Sequence, residues 1–285
     1  MSGAAITGRG EFLLRFRRNR NAVAGAFLVV LIVAVALAAP WLAPKDYTST
    51  DMLMVWEPPG EDFLLGADNL GRDILSRLLM GARVSLLVAF AVLAITLAVG
   101  ITLGMVAGYL GGRIDGLIMR LSDIIFAFPE LIFAILVAAI LGPGIVTVIV
   151  ALSLVWWPGI ARLTRSLVLS LRSELYVDAA IACGTPTWRI MLRHLLPNIV
   201  APIIVRASIG VGFIIMAEAT LSFLGLGVQE PFPTWGGMIR DGLSNLSLDP
   251  YLSLSASLAL GLTIIGFNLL GDGLRDILDP RIRER

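Results

Sequence analysis

Residues 84–108 read VSLLVAFAVLAITLAVGITLGMVAG, twenty-five positions without one charged side chain. A helix crossing bilayer hydrocarbon takes about 20 mainly apolar residues, so this stretch predicts one crossing. Outward from it, residues 22–42, 117–141, 145–161, 198–221 and 252–271 meet the same standard. Only Gly142-Pro143-Gly144 separates the third stretch from the fourth, a tight turn that predicts a hairpin. The composition agrees: 57% of the 285 residues are apolar and 15% charged, with mean hydropathy +0.88. An ordinary globular protein carries about 45–50% and 25%, and the surplus here needs lipid as its solvent. The expected fold is an all-α integral membrane protein with six transmembrane helices. Residues 22–42 read as a retained anchor, too long for a cleaved leader, with Ala38-Ala39-Pro40 a poor exit for a peptidase.

Arginine placement sets the orientation, because short cytoplasmic loops carry the excess of Lys and Arg. Residues 1–21 hold Arg9, Arg15, Arg17, Arg18 and Arg20. Arg113 and Arg120 follow the second stretch, and Arg162, Arg165, Arg172, Arg189 and Arg193 follow the fourth. The tail 272–285 has Arg275, Arg281, Arg283 and Arg285. Residues 43–83 instead hold four basic groups against seven acids, and 222–251 only Arg240 as a base. Both termini are therefore expected in the cytoplasm, residues 43–83 outside, and 84–271 as a five-helix core with a cytoplasmic loop at 162–197. The alternative, outermost stretches that re-enter without crossing, sits poorly with their length and the alternating charge.

Rare residues exclude whole classes. Cys183 is the sole cysteine, so an internal disulfide is ruled out, and with the sole histidine, His194, it leaves no zinc site of the usual kind. The one lysine, Lys45, precedes Asp46, so the glycine-rich phosphate loop ending in Lys-Ser/Thr is missing and ATP cannot bind by that route. A net charge of +1 gives no sign of a nucleic-acid partner.

The loop 162–197 reads as two short helices. Ser173 can cap a helix beginning at Glu174, an acid suited to the positive end. That helix runs to Gly184, which suits a left-handed C-terminal position. Thr185 would cap a second helix with Pro186 first. Trp188, Met191, Leu192, Leu195 and Leu196 then form one apolar face, with Arg189 and Arg193 elsewhere and Pro197 ending the run. Two roles fit: a hairpin covering lipid headgroups, or a docking element. Ala179, Ala180 and Ala182, which admit a close surface, and the stiff Gly184-Thr185-Pro186 turn favour docking.

Asp178-Ala179-Ala180, Gly184, nine residues and then His194-Leu195-Leu196-Pro197 resemble the cytoplasmic "EAA" loop of binding-protein-dependent ABC importer permeases. Asp178 replaces the family's Glu, and His194 an apolar residue, at unchanged spacing. Leu65-Gly66-Ala67-Asp68-Asn69-Leu70-Gly71-Arg72-Asp73-Ile74-Leu75-Ser76-Arg77 resembles the F-G-T-D-x-x-G-R-D-x-x-S-R segment of the dipeptide, oligopeptide and nickel branch, with Ala67 for Thr. Leu221-Ser222-Phe223-Leu224-Gly225-Leu226-Gly227 with Pro233-Thr234-Trp235-Gly236, and Gly271-Asp272-Gly273-Leu274-Arg275-Asp276 with Leu278-Asp279-Pro280, are similar to two more segments of that branch. The resemblance covers nearly the whole chain and points to the C-type permease subunit. It implies a type I importer-like subunit of the bacterial cytoplasmic (inner) membrane that moves short peptides, with nickel chelates or another small solute as the alternative. It implies as partners a homologous second permease, two ATP-binding subunits holding ATP and Mg, and an extracytoplasmic substrate-binding protein. This chain would be non-catalytic and bind no cofactor. Coupling to the ATPases would fall to Glu174, Asp178, Ala179, Ala180, Gly184, Leu196 and Pro197.

Ionisable groups inside spans are the default functional candidates. Glu130 follows Pro129 in the third span and Glu218 lies toward the outer end of the fifth. Each is a candidate for the translocation pathway, against a structural polar contact for Glu130 and an interfacial acid reaching water for Glu218. Arg206 reads as a snorkelling side chain, and His194 as an ordinary hairpin residue. Ile74, Leu75, Leu78 and Leu79 mark a short helix before the second span that could lie in the interface. A secondary transporter would need an inverted repeat and paired midplane acids, and a membrane enzyme a cluster of His, Cys or acids at one depth; neither pattern is evident.

Overall fold

The structure, a computed structural model, describes residues 9–278; Asp279, Pro280, Arg281, Arg283 and Arg285 lie outside the described residues, as do residues 1–8. Helix α1, Arg9–Arg18, stops at Asn19, whose side chain accepts a hydrogen bond from the Ala22 N–H (3.0 Å) and so caps α2, Arg20–Leu42. Asp73 does the same for α3, Ile74–Leu110, accepting from the Ser76 N–H at 2.7 Å. With 37 residues, α3 is about 55 Å long and outruns the hydrocarbon. The expected short helix at Ile74 is simply its first turns. Ile74 is buried and Leu75, Leu78 and Leu79 are half-buried, so much of this apolar stripe packs on the protein.

The third span departs from expectation. Residues 117–141 are not one straight helix but α4, Gly112–Phe126, and α5, Glu130–Leu141, bent by 89°. Pro129 is the reason: it lacks an N–H and disfavours helical geometry at the residue before it. After the Gly142-Pro143-Gly144 turn, α6 (Ile145–Arg172) returns alongside α5, as the hairpin reading expects. Next come α7 (Leu175–Ala182), α8 (Thr187–Ile190), a π-helical turn (Met191–Leu195) and α9 (Leu196–Phe223). Helices α10 (Trp235–Ser244) and α11 (Tyr251–Leu278) complete the described chain. Five helices are long and apolar enough to cross a membrane, and the count is six where the bent α4–α5 pair is taken as one span.

Small residues set the packing, since between helices in lipid close backbone approach replaces the hydrophobic drive. Gly100, Gly104 and Gly108 form a stripe on α3 against α6. A Cβ on Gly104 would stand 2.5 Å from the Ala161 carbonyl oxygen and 2.6 Å from Thr164 Cβ. Val88, Val92, Leu152, Ile214 and Ile215 fill the core where α3, α6 and α9 meet. Helix α11 covers another side of α9, and α2 packs on α11.

Candidate functional site

The α7–α8 hairpin stands at the arginine-rich end. Gly184 adopts φ +72°, its N–H bonds the Ile181 carbonyl at 2.9 Å, and the Thr185 N–H reaches back to Ala180 at 3.0 Å. These two bonds close a Schellman turn, and an open left-handed position is where glycine costs least. Inside the hairpin Val177, Ile190, Leu195 and Ile199 are fully buried, which fixes its pose against α3 and α6. Glu174, Asp178, Ala179, Gly184 and Pro197 are exposed, while Ala180 and Leu196 are half-buried.

Several details correct the sequence reading. Ser173 does not cap α7 but closes α6, donating its hydroxyl to the Ser170 carbonyl (3.3 Å); Glu174 is the N-cap residue instead. Thr185 does not cap α8, whose cap residue is Pro186. Pro197 does not end the second helix: α8, the π turn and α9 run on as one 37-residue helix, Thr187–Phe223. The π turn makes that possible. Its wider loop pairs the Leu196 N–H with the Met191 carbonyl, just before the residue that has no N–H to offer. It also re-aims the face: Ile190 and Leu195, five apart, point inward together, whereas Trp188 and Leu192 are exposed beside Arg189 and Arg193.

The two acids separate. Glu130 opens α5 at the bend and is exposed, its charge facing the positive helix end. Glu218 is 0% exposed and its Oε1 accepts the Ser222 hydroxyl at 2.8 Å. Enclosed by the chain's own core, it reaches neither lipid nor an open pathway in this conformation. Its burial also leaves Glu218 without the water contact expected of an interfacial acid. Two ion pairs hold the bent span to α6: Arg162 with Asp123, and Arg165 gripping Asp115 through Nε and Nη2 (2.5 and 2.6 Å).

The opposite end carries a cluster whose motif was visible and whose geometry was not. Asp68 accepts from the Leu70 and Arg72 N–H groups and from Arg72 Nε at 2.7 Å, and it lies 3.3 Å from Arg77 Nε. Arg72 and Arg77, both buried, reach across 158 and 153 residues to Glu230 at 2.7 and 3.0 Å. Burial alone would push the Glu230 carboxyl up, but the two guanidinium groups hold it below the ordinary range. Trp235 donates its indole N–H to the Leu78 carbonyl (3.2 Å), pinning α10 to α3. The chain between α2 and α3 is thus locked onto α10 and the segment before it.

Known proteins agree with this architecture. The family described as "Binding-protein-dependent transport system inner membrane component" matches residues 100–284, and "N-terminal TM domain of oligopeptide transport permease C" matches residues 9–59. The glutathione transport system permease protein GsiD of Pectobacterium atrosepticum is 44% identical over 276 residues, covering 96% of this chain and 91% of that protein. GsiD of Shigella flexneri serotype 5b is 45% identical over the same length, at 96% and 90% coverage. A chain from the inward-facing MetNI methionine ABC transporter shares the fold, with TM-score 0.55 and 18% identity, over 72% of this chain and 96% of its own. The chain belongs to the binding-protein-dependent transport system inner membrane components, as a multi-pass permease subunit of an ABC importer of the oligopeptide permease C type.

Proposed function

We propose that this subunit forms half of a translocation pathway for short peptides, the other half coming from a homologous permease, and that its α7–α8 hairpin takes the push of a pair of ATP-binding subunits. The carrying observation is mechanical. A hairpin that exposes Leu175, Ile181 and Trp188 beside Glu174 and Asp178 is closed by a stiff Schellman turn and continues without a break into α9. Exposed apolar side chains of that size in water mark a contact surface. A push there rotates α9 as a rigid lever, the kind of motion by which spans switch between inward- and outward-facing states. The peptide class rests on 44% identity to a permease named for glutathione transport. Both termini then face the cytoplasm, and the cap around Glu230 faces the substrate-binding protein. ATP and Mg belong to the partner subunits.

The test is reconstitution of the complete transporter in proteoliposomes with its binding protein. Addition of a short peptide should stimulate ATP hydrolysis and drive peptide accumulation together. Stimulation by a solute of another class and indifference to peptides would overturn the substrate; a transporter still coupled after deletion of 174–186 would overturn the coupling site.

A further inference from the structure

At mid-span, α3, α6 and α9 leave a small cleft lined by Leu93, Thr96, Trp156, Ile160, Arg206 and Gly210. Two polar groups at this cleft lack partners among the described residues. Thr96 is 2% exposed and its Oγ1 makes no hydrogen bond. Arg206 is exposed and enters none of the described ion pairs or side-chain hydrogen bonds. A buried hydroxyl without a partner is uncommon enough to need an explanation. A guanidinium against the hydrocarbon centre costs about 2.5–3.5 kcal/mol even on insertion scales, so the face bearing it is expected to meet protein or water rather than lipid. Arg206 lies eight residues inside the 198–221 span, about 12 Å from its hairpin end, so its side chain stands within the depth of the bilayer. The same side of α9 exposes Phe213, stacked obliquely beside Trp156 at 6.3 Å, and Met216. It is a mixed cationic and aromatic strip on the face that α11 leaves open.

We propose that Arg206 receives a carboxylate of the passing peptide, with Trp156 and Phe213 as the apolar wall. This rests on the peptide reading above and deepens it. Every free peptide ends in a carboxylate, and the planar fork of arginine pairs with that group through two parallel hydrogen bonds. The site therefore favours peptides with extra carboxylates over cationic ones of equal length. Arg206 sets specificity here; it does no bond chemistry.

Proteoliposomes holding the complete transporter and its binding protein decide it. Wild type, Arg206→Gln and Arg206→Lys are compared for uptake of a tripeptide with two carboxylates and of a neutral tripeptide, alongside stimulated ATP hydrolysis. Losing a hydrogen bond to a charged group in a desolvated site predicts an uptake loss on the order of tenfold for the acidic tripeptide in Arg206→Gln. The loss should be smaller for the neutral one, ATP hydrolysis preserved, and uptake only partly restored in Arg206→Lys, which keeps the charge but not the fork. Equal wild-type uptake of both peptides in Arg206→Gln would overturn the assignment and leave a snorkelling arginine. Equal loss of uptake and hydrolysis in both variants would also overturn it, making the residue structural. A wild-type transporter that imports neither tripeptide would instead overturn the peptide reading itself.

Discussion

Asp68 serves two buried arginines at once, so its charge is the one the opposite-end cap depends on. Asp68→Asn removes that charge, and breaking a buried pair costs about 3–5 kcal/mol because the partner stays buried. The purified transporter should melt lower and the chain between α2 and α3 should become open to protease. Glu230 adds a pH arm. Its carboxyl is held below the ordinary 4.5, so its contribution is present above that value and is lost as pH falls through the lower folded value. The cap should hold steady from neutral pH down to the ordinary carboxylate value of 4.5 and loosen only below it, and Glu230→Gln should flatten that dependence. At Gly184 the strain is purely torsional, since an added Cβ would meet nothing within 4 Å. Gly184→Val should cost about 1–2 kcal/mol locally and abolish binding-protein-stimulated ATP hydrolysis, whereas Gly184→Asn, tolerant of the left-handed region, should keep much of it. Wild-type stimulation in the valine variant would put coupling elsewhere.

Between elements, the α3–α6 contact is the tightest test of the fold. Gly104 has no room for a side chain against the Ala161 backbone, and backbone yields far less readily than a flexible side chain. Gly104→Val should force the helices apart at a cost of about 1–3 kcal/mol or more, seen as lost co-purification with the ATP-binding subunits rather than lost membrane insertion. The small-residue spacing of this stripe is plain in the sequence. The π turn is not: nothing local distinguishes a proline that ends a helix from one accommodated by a wider turn before it. Leu195 decided the matter by fitting beside Ile190 and Val177 in the cluster under α3 and α6.

Across the whole molecule, the bend at Pro129 places Glu130 on an exposed corner, which would be available to the second permease chain of the proposed pathway. Glu130→Gln should leave the amount of inserted protein unchanged and lower uptake roughly fivefold, the equivalent of about 1 kcal/mol of charge interaction at a helix end. Unchanged transport would show that corner to be structural. Glu218 lies fully inside the chain and bonds Ser222, so Glu218→Gln should act on stability before it acts on uptake.

Runs of apolar residues, the Gly142-Pro143-Gly144 turn and the left-handed position at Gly184 were all readable along the chain. Each depends on short-range chemistry: hydropathy over one helix length, and the backbone freedom of glycine. The motif around Asp68 was readable as a motif only. Its meaning needed Glu230, more than 150 residues away, and pairing at that distance leaves no local trace. The same holds for the inward turn of Glu218 and the meeting of Thr96, Trp156 and Arg206 in one cleft. A span's periodicity says that one face is covered but not by what. Which polar groups are enclosed, and which are left without a partner, was settled only when three helices closed on one another through their glycines.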